Sequence, residues 1–101
     1  MLEAHGLKTV LRNFRCRGGE IDLIAVDGET LVFVEVRVRS RDDFGGARAS
    51  IDHHKQRRIL RAAKFYLAGK RARPCRFDVI VMSSAEGAEL EWIRNAFDDH
   101  E

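Results

Sequence analysis

The stretch Gly18–Arg39, GGEIDLIAVDGETLVFVEVRVR, decides the fold. Two alternating apolar runs flank Asp27-Gly28. A two-residue Asp-Gly link between such runs signals a β-hairpin closed by a type I′ turn, because both central residues must take positive φ. That turn pairs Val26 with Glu29, and counting back sets Ile24 opposite Leu31, Asp22 opposite Phe33 and Glu20 opposite Glu35. Partners share a face. One face then carries Glu20, Asp22, Ile24, Leu31, Phe33, Glu35, Arg37 and Arg39, while Ile21, Leu23, Ala25, Val32, Val34, Val36 and Val38 form a core face. Like charges directly across a ladder are destabilising, so Glu20 facing Glu35, with Asp22 on the diagonal, needs a compensating cation, a shared proton or open water. A divalent metal is the sharpest of the three, since Mg2+ takes one or two carboxylates together with waters and substrate phosphates. The plain alternative is the wet face of a half-covered antiparallel sheet.

Working outward, Leu7–Arg17 alternates loosely and reads as a strand or irregular lead-in beside the hairpin. Ser40–Ser50 is polar, contains Gly45-Gly46, and reads as a loop, either an ordinary connector or, from its place just after the acidic strand, a cover for bound substrate. From Ile51 to Ala68 the period becomes helical, with Ser50 as N-cap and Gly69 as the stop. Ile59, Ala62, Ala63, Tyr66 and Leu67 form its apolar stripe. Arg57, Arg58, Arg61 and Lys64 share the opposite face, where they serve either as ordinary solvated surface or as a stripe that neutralises nucleic-acid phosphates. Lys55 and Gln56 precede the apolar stripe by one turn and lie toward its side, where they either reach the acidic cluster or a scissile phosphate or only close the helix start against the sheet edge. His53 and His54 are adjacent, point about 100° apart and make a poor chelating pair. Phe77–Met82 alternates as a strand, with Asp78 set to pair with an arginine, and Leu90, Trp92 and Ile93 suggest a last short strand before an acidic tail.

A chain of 101 residues fits one domain, residues 1–101, with a modest core. No apolar run approaches the ~20 residues that cross a bilayer, and no signal pattern opens the chain, so a cytoplasmic protein without a membrane partner is expected. Net charge is only +2 and argues weakly for nucleic acid. Its distribution argues more: Arg37–Arg76 holds thirteen basic and three acidic residues, Phe77–Glu101 one basic and seven acidic. Cys16 and Cys75 are isolated, which speaks against zinc and for idle thiols.

These residues resemble a known family. Asp22, a hairpin turn and then Glu35-Val36-Arg37 closing a valine-rich strand look like the PD-(D/E)xK core, the restriction endonuclease-like fold. More closely, Arg12-Asn13-Phe14-Arg15, GEIDLI, FVEV, Phe44-Gly45, the helix around Lys55-Gln56-Arg57-Arg58, and Arg76-Phe77-Asp78-Val79 are similar to the YraN-like family of predicted bacterial endonucleases. The resemblance covers nearly the whole chain. It implies Asp22 and Glu35 as metal ligands with Glu20 close by, and an opening helix of which Met1–Gly6 is the end. Arg37 stands where the ExK triplet has lysine, and arginine stays charged, so it can offset phosphate charge but cannot act as a general base.

The expectation is an α/β domain, a central mixed sheet with a flanking helix and a truncated opening helix. Its expected function is metal-dependent hydrolysis of phosphodiester bonds in DNA or structured nucleic acid. Asp22 and Glu35 would bind Mg2+ or Mn2+, and Arg37, Glu20 and Gln56 would assist. Lys55, Arg57, Arg58 and Arg61 would hold the nucleic acid. The alternatives are a catalytically impaired nucleic-acid-binding module of the same fold, and an oligomerisation domain or homodimer that covers an apolar face.

Overall fold

The computed structural model describes residues 6–38, 51–82 and 90–97. Within these residues, five strands and one helix follow in the order β1 (Lys8–Cys16), β2 (Gly19–Asp27), β3 (Thr30–Val38), α1 (His53–Leu67), β4 (Cys75–Met82) and β5 (Leu90–Phe97). They form one mixed sheet in the order β1-β2-β3-β4-β5. Only β3 and β4 are parallel, and α1 lies between them in the chain, as a parallel neighbour requires a crossover. The lead-in segment is thus a full strand, antiparallel to β2, with a bulge between Thr9 and Leu11 and a positive φ of 54° at Asn13. The expected loop at 40–50 with Ser50, the remnant helix at 1–5 and the acidic tail fall outside the described residues.

The hairpin forms, but its register differs by two residues from the sequence expectation. Asp27 pairs with Thr30, Val26 with Leu31, Ile24 with Phe33 and Leu23 with Val34. The central turn residues are therefore Gly28 and Glu29, and of Asp27, Gly28 and Glu29 only Gly28 has positive φ, 61°. Glycine first and an ordinary residue second is the demand of a type II′ turn, which spares Asp27 the left-handed conformation that type I′ would impose. A two-residue slip preserves faces but changes partners. Glu20 accordingly pairs with Arg15 of β1 rather than facing Glu35, and one step beyond Leu23↔Val34 the same register brings Asp22 level with Glu35.

Apolar residues fill both faces. Beneath α1 lie Ile21, Ile24, Leu31, Phe33 and Phe77, meeting Ile59, Ala62 and Ala63 of the helix. Leu7, Ala25, Val32, Val34 and Ile80 cluster on the other face. Burying a side chain of this size contributes about 1.5–3 kcal/mol. Ile21 belongs with Ile24 under the helix, three positions away, whereas strict alternation groups it with Leu23 and Ala25. The alternation breaks at Asp22. Gly19 lets this strand approach α1, since a Cβ there would stand 2.1 Å from the Arg58 carbonyl oxygen.

The helix starts at His53, two residues later than its periodicity suggests, because Asp52 is the N-cap: its carboxylate accepts from the Lys55 backbone N–H at 2.8 Å. Ile51 instead enters the core beside Val79, Val81 and Ile93. This early anchor fixes where the first turn of α1 sits against the sheet, and so where Lys55 reaches.

Candidate metal centre and nucleic-acid face

Asp22 and Glu35 come together where the β2–β3 ladder ends. The Asp22 side chain takes over the role of a ladder carbonyl: its Oδ2 accepts from the Val36 backbone N–H at 2.9 Å. That bond fixes Asp22 across the gap toward β3. Glu35, on β3, is 5% exposed, and its Oε2 lies 2.7 Å from Nζ of Lys55 in the first turn of α1. Burial raises the Glu35 pKa above its ordinary 4.5; the Lys55 ammonium pulls it down, the nearby Asp22 charge and a hydrogen-bonding contact with Asp22 push it up, and the net shift is upward. A buried carboxylate in contact with a second carboxylate and balanced by one ammonium is a strained charge arrangement of the kind that accompanies chemistry.

The other residues singled out from the sequence take different places. Glu20 sits between Arg15 at 3.6 Å and Arg58 at 3.8 Å, with 44% of its side chain exposed, and does not join Asp22 and Glu35. The register slip is the reason. Among the described residues no three His, Cys, Asp or Glu side chains gather at one site, so the three-carboxylate cluster read from the sequence reduces to two. Gln56 uses its side-chain N–H to bond the Ile51 carbonyl at 3.0 Å, which ties down the start of α1. Arg37 is half-buried on β3 at the level of Val81, with no hydrogen-bond or ion-pair partner among the described residues. Lys55, rather than Arg37, is the cation in contact with Glu35. Arg57, Arg58 and Arg61 are exposed along α1 as their spacing predicts.

Two carboxylates match the donor set of a hard divalent cation, which takes one or two carboxylates and completes its shell with water and phosphate. The fit rests on this pair, on the fixed orientation of Asp22, and on two acidic groups meeting a single contacting ammonium.

A second polar group was only half legible. Asp78 was expected to pair with an arginine and does so, its two oxygens accepting from Arg76 Nε at 3.1 and 3.2 Å. It also accepts from Trp92 Nε1 at 2.9 Å and the Asn95 backbone N–H at 3.0 Å. Arg76 Nη1 reaches on to Asp27 at 3.0 Å, a link that the turn residue Asp27 gave no sign of.

A central mixed sheet flanked by a single helix among the described residues is consistent with a restriction endonuclease-like core. The chain belongs to the family described as "Uncharacterised protein family UPF0102", whose model matches residues 1–82. A UPF0102 protein of Nitrosospira multiformis is 58% identical over 98 residues, covering 96% of this chain and 82% of the relative. Another, from Dechloromonas aromatica, is 60% identical over 96 residues, covering 95% and 78%, and one from Nitrosomonas europaea is 54% identical over 99 residues, covering 97% and 84%. No helix among the described residues is long and apolar enough to cross a membrane.

Proposed function

We propose that this domain is a metal-dependent nuclease acting on the phosphodiester backbone of DNA or another structured nucleic acid. The observation that carries the reading is the contact of Lys55 with Glu35 at 2.7 Å beside Asp22. Asp22 and Glu35 would hold Mg2+ or Mn2+, with the Val36 N–H keeping Asp22 aimed at the site. When bound, the cation supplies Lewis-acid polarisation of the phosphate and a water of lowered pKa. Lys55 places a fixed positive charge next to Glu35, where it offsets negative charge building on a phosphate oxygen. Arg57, Arg58 and Arg61 present cations along the same helix to the flanking backbone.

The test is a cleavage screen over single-stranded, duplex and branched DNA with Mg2+ or Mn2+, run beside calorimetric titration of the metal. Asp22→Asn with Glu35→Gln conserves shape, so metal binding and cleavage are both expected to vanish while the fold persists. Unchanged metal affinity in that double variant removes the site assignment.

A further inference from the structure

At the far end of α1 from Lys55 lies a cavity of about 590 Å³ lined by Tyr66, Lys70, Arg71, Arg73, Pro74 and Glu29 among others. Lys55 and Leu67 are twelve residues apart on the helix, about 18 Å at 1.5 Å per residue, so this cavity is separate from the Asp22/Glu35 pair. Its cations are held in an unusual way. Lys70 Nζ donates to the Tyr66 carbonyl at 2.7 Å and stands 4.2 Å from the centre of the Tyr66 ring. Arg73 Nε donates to the Glu29 carbonyl at 2.9 Å. Both are thus fixed by neutral main-chain oxygens, which orient a cation without cancelling its charge.

Four other cations meet carboxylates instead: Arg76 meets Asp27 and Asp78, Lys55 meets Glu35, and Arg15 and Arg58 meet Glu20. Lys70 keeps two further N–H donors and Arg73 four. Arg71 adds a third charge, against one carboxylate from Glu29. The loop is braced as well, since Leu31 N donates to the Pro74 carbonyl at 2.8 Å and Lys70 N to the Leu67 carbonyl at 2.9 Å. Three cations against one carboxylate, two of them held in place by main-chain oxygens, cost little to organise around an anion.

From this we infer that the Lys70–Arg73 loop, just past the C-terminal end of the helix that carries Lys55 and its basic face, is a second anchor for the phosphate backbone of duplex nucleic acid. The inference rests on the nucleic-acid reading above but not on catalysis. About 18 Å along the helix corresponds to roughly five base-pair steps at 3.4 Å each, so the anchor grips the duplex some five pairs from the Asp22/Glu35 site.

The experiment is fluorescence anisotropy of a labelled hairpin with a 4-base-pair stem (the 4-mer) and a labelled 16-base-pair duplex across a salt series in metal-free buffer, comparing the wild-type chain with Arg71→Gln/Arg73→Gln. Since Arg73 also braces the turn, Arg71→Glu alone serves as the variant that leaves this hydrogen bond intact, and thermal melts accompany each. Losing two phosphate contacts lowers the log-log salt slope on the 16-mer by about 1.8, and the loss of affinity is larger for the 16-mer, which spans both ends, than for the short stem, which can occupy either end alone. Arg71→Glu is expected to weaken 16-mer binding in the same length-dependent way. An unchanged slope on the 16-mer, or equal losses on both lengths, overturns the anchor. A wild-type chain that binds no duplex also overturns it, whereas an absence of cleavage with the slope change intact removes only the nuclease reading.

Discussion

Two aspartates interrupt the sheet, Asp22 on β2 and Asp78 on β4, and each accepts a hydrogen bond from a backbone N–H of the next strand, Val36 for the first and Asn95 for the second. Each lies beside irregular backbone: Asn13, opposite Asp22 in the β1–β2 register, has φ 54°, Asn95 has φ 52°, and the β4–β5 register shifts between Phe77 and Val79. Their surroundings then diverge. Asp78 gathers an arginine, an indole N–H and a main-chain N–H, so its charge is fully answered. Asp22 gathers a second carboxylate. The same residue type, used the same way against the ladder, closes a structural network in one place and leaves a site short of positive charge in the other. At Asp78 both carboxylate oxygens are answered and the pair serves the fold, although Arg76 Nη2 is buried without a hydrogen-bond partner; at Asp22 the neighbour is a second carboxylate, and a cation or a phosphate can add something.

The comparison breaks first at Asp78. Asp78→Ala strips the partner from Arg76 Nε and removes the carboxylate that accepts from the Trp92 indole N–H and the Asn95 backbone N–H. Removing one member of a buried pair costs about 3–5 kcal/mol, and urea denaturation is expected to show that loss with the metal affinity of the folded fraction intact. A loss under about 1 kcal/mol, the scale of an exposed pair, would place Asp78 in the same class as Glu20.

How much of this was readable beforehand follows from the kind of interaction. The sheet, the helix and its buried stripe of Ile59, Ala62 and Ala63 were legible, because burial imposes a period on sequence. Lys55 was legible as a residue on the sheet side of α1. The hairpin register was not, because Asp27-Gly28 and Gly28-Glu29 both satisfy a glycine turn and the two registers give identical faces. Only the partners differ, and the partners decide that Glu35 meets Asp22 and Glu20 meets arginines. The break in alternation at Asp22 was hidden too, since a side chain replacing a ladder carbonyl leaves no periodic signal. Asp27 with Arg76 joins residues 49 apart and had none either.

The comparison sharpens with pH. Glu35 has a raised pKa in the folded chain, first through burial and then through Asp22, against an ordinary value of 4.5. Below 4.5 both folded and unfolded chains hold the proton. Between 4.5 and the raised value the folded chain keeps a proton that the unfolded chain releases, so unfolding free energy falls as pH rises through that window. In metal-free buffer, denaturation of wild type and Glu35→Gln from pH 4 to 7 is expected to differ by this slope, present in the first and absent from the second. Parallel curves would mean that Lys55 answers Glu35 as fully as Arg76 answers Asp78.

The smallest effect is expected at Arg37. Sequence alone ranks Arg37→Lys as a gain in cleavage, because a lysine in the triplet position can lower its pKa and assist an attacking water, while arginine holds its proton. In the folded chain an ammonium already stands 2.7 Å from Glu35, contributed by Lys55 from α1. Arg37 lies two residues past Glu35 on β3, level with Val81, and has no ion-pair partner among the described residues to lose. The swap is therefore expected to change stability by about 0–1 kcal/mol and cleavage by less than about tenfold, which is 1.36 kcal/mol of barrier. Lys55→Gln removes the charge in contact with Glu35 and is expected to cost on the order of 10²–10³ in rate, the scale of deleting one positioned stabilising group. Rates for the two variants, taken across pH with Mg2+ present, rank the two cations directly. If Arg37→Lys raises cleavage well beyond tenfold while Lys55→Gln leaves it unchanged, the cation that matters lies on the strand, and the contact between α1 and Glu35 serves the fold as Asp78 does.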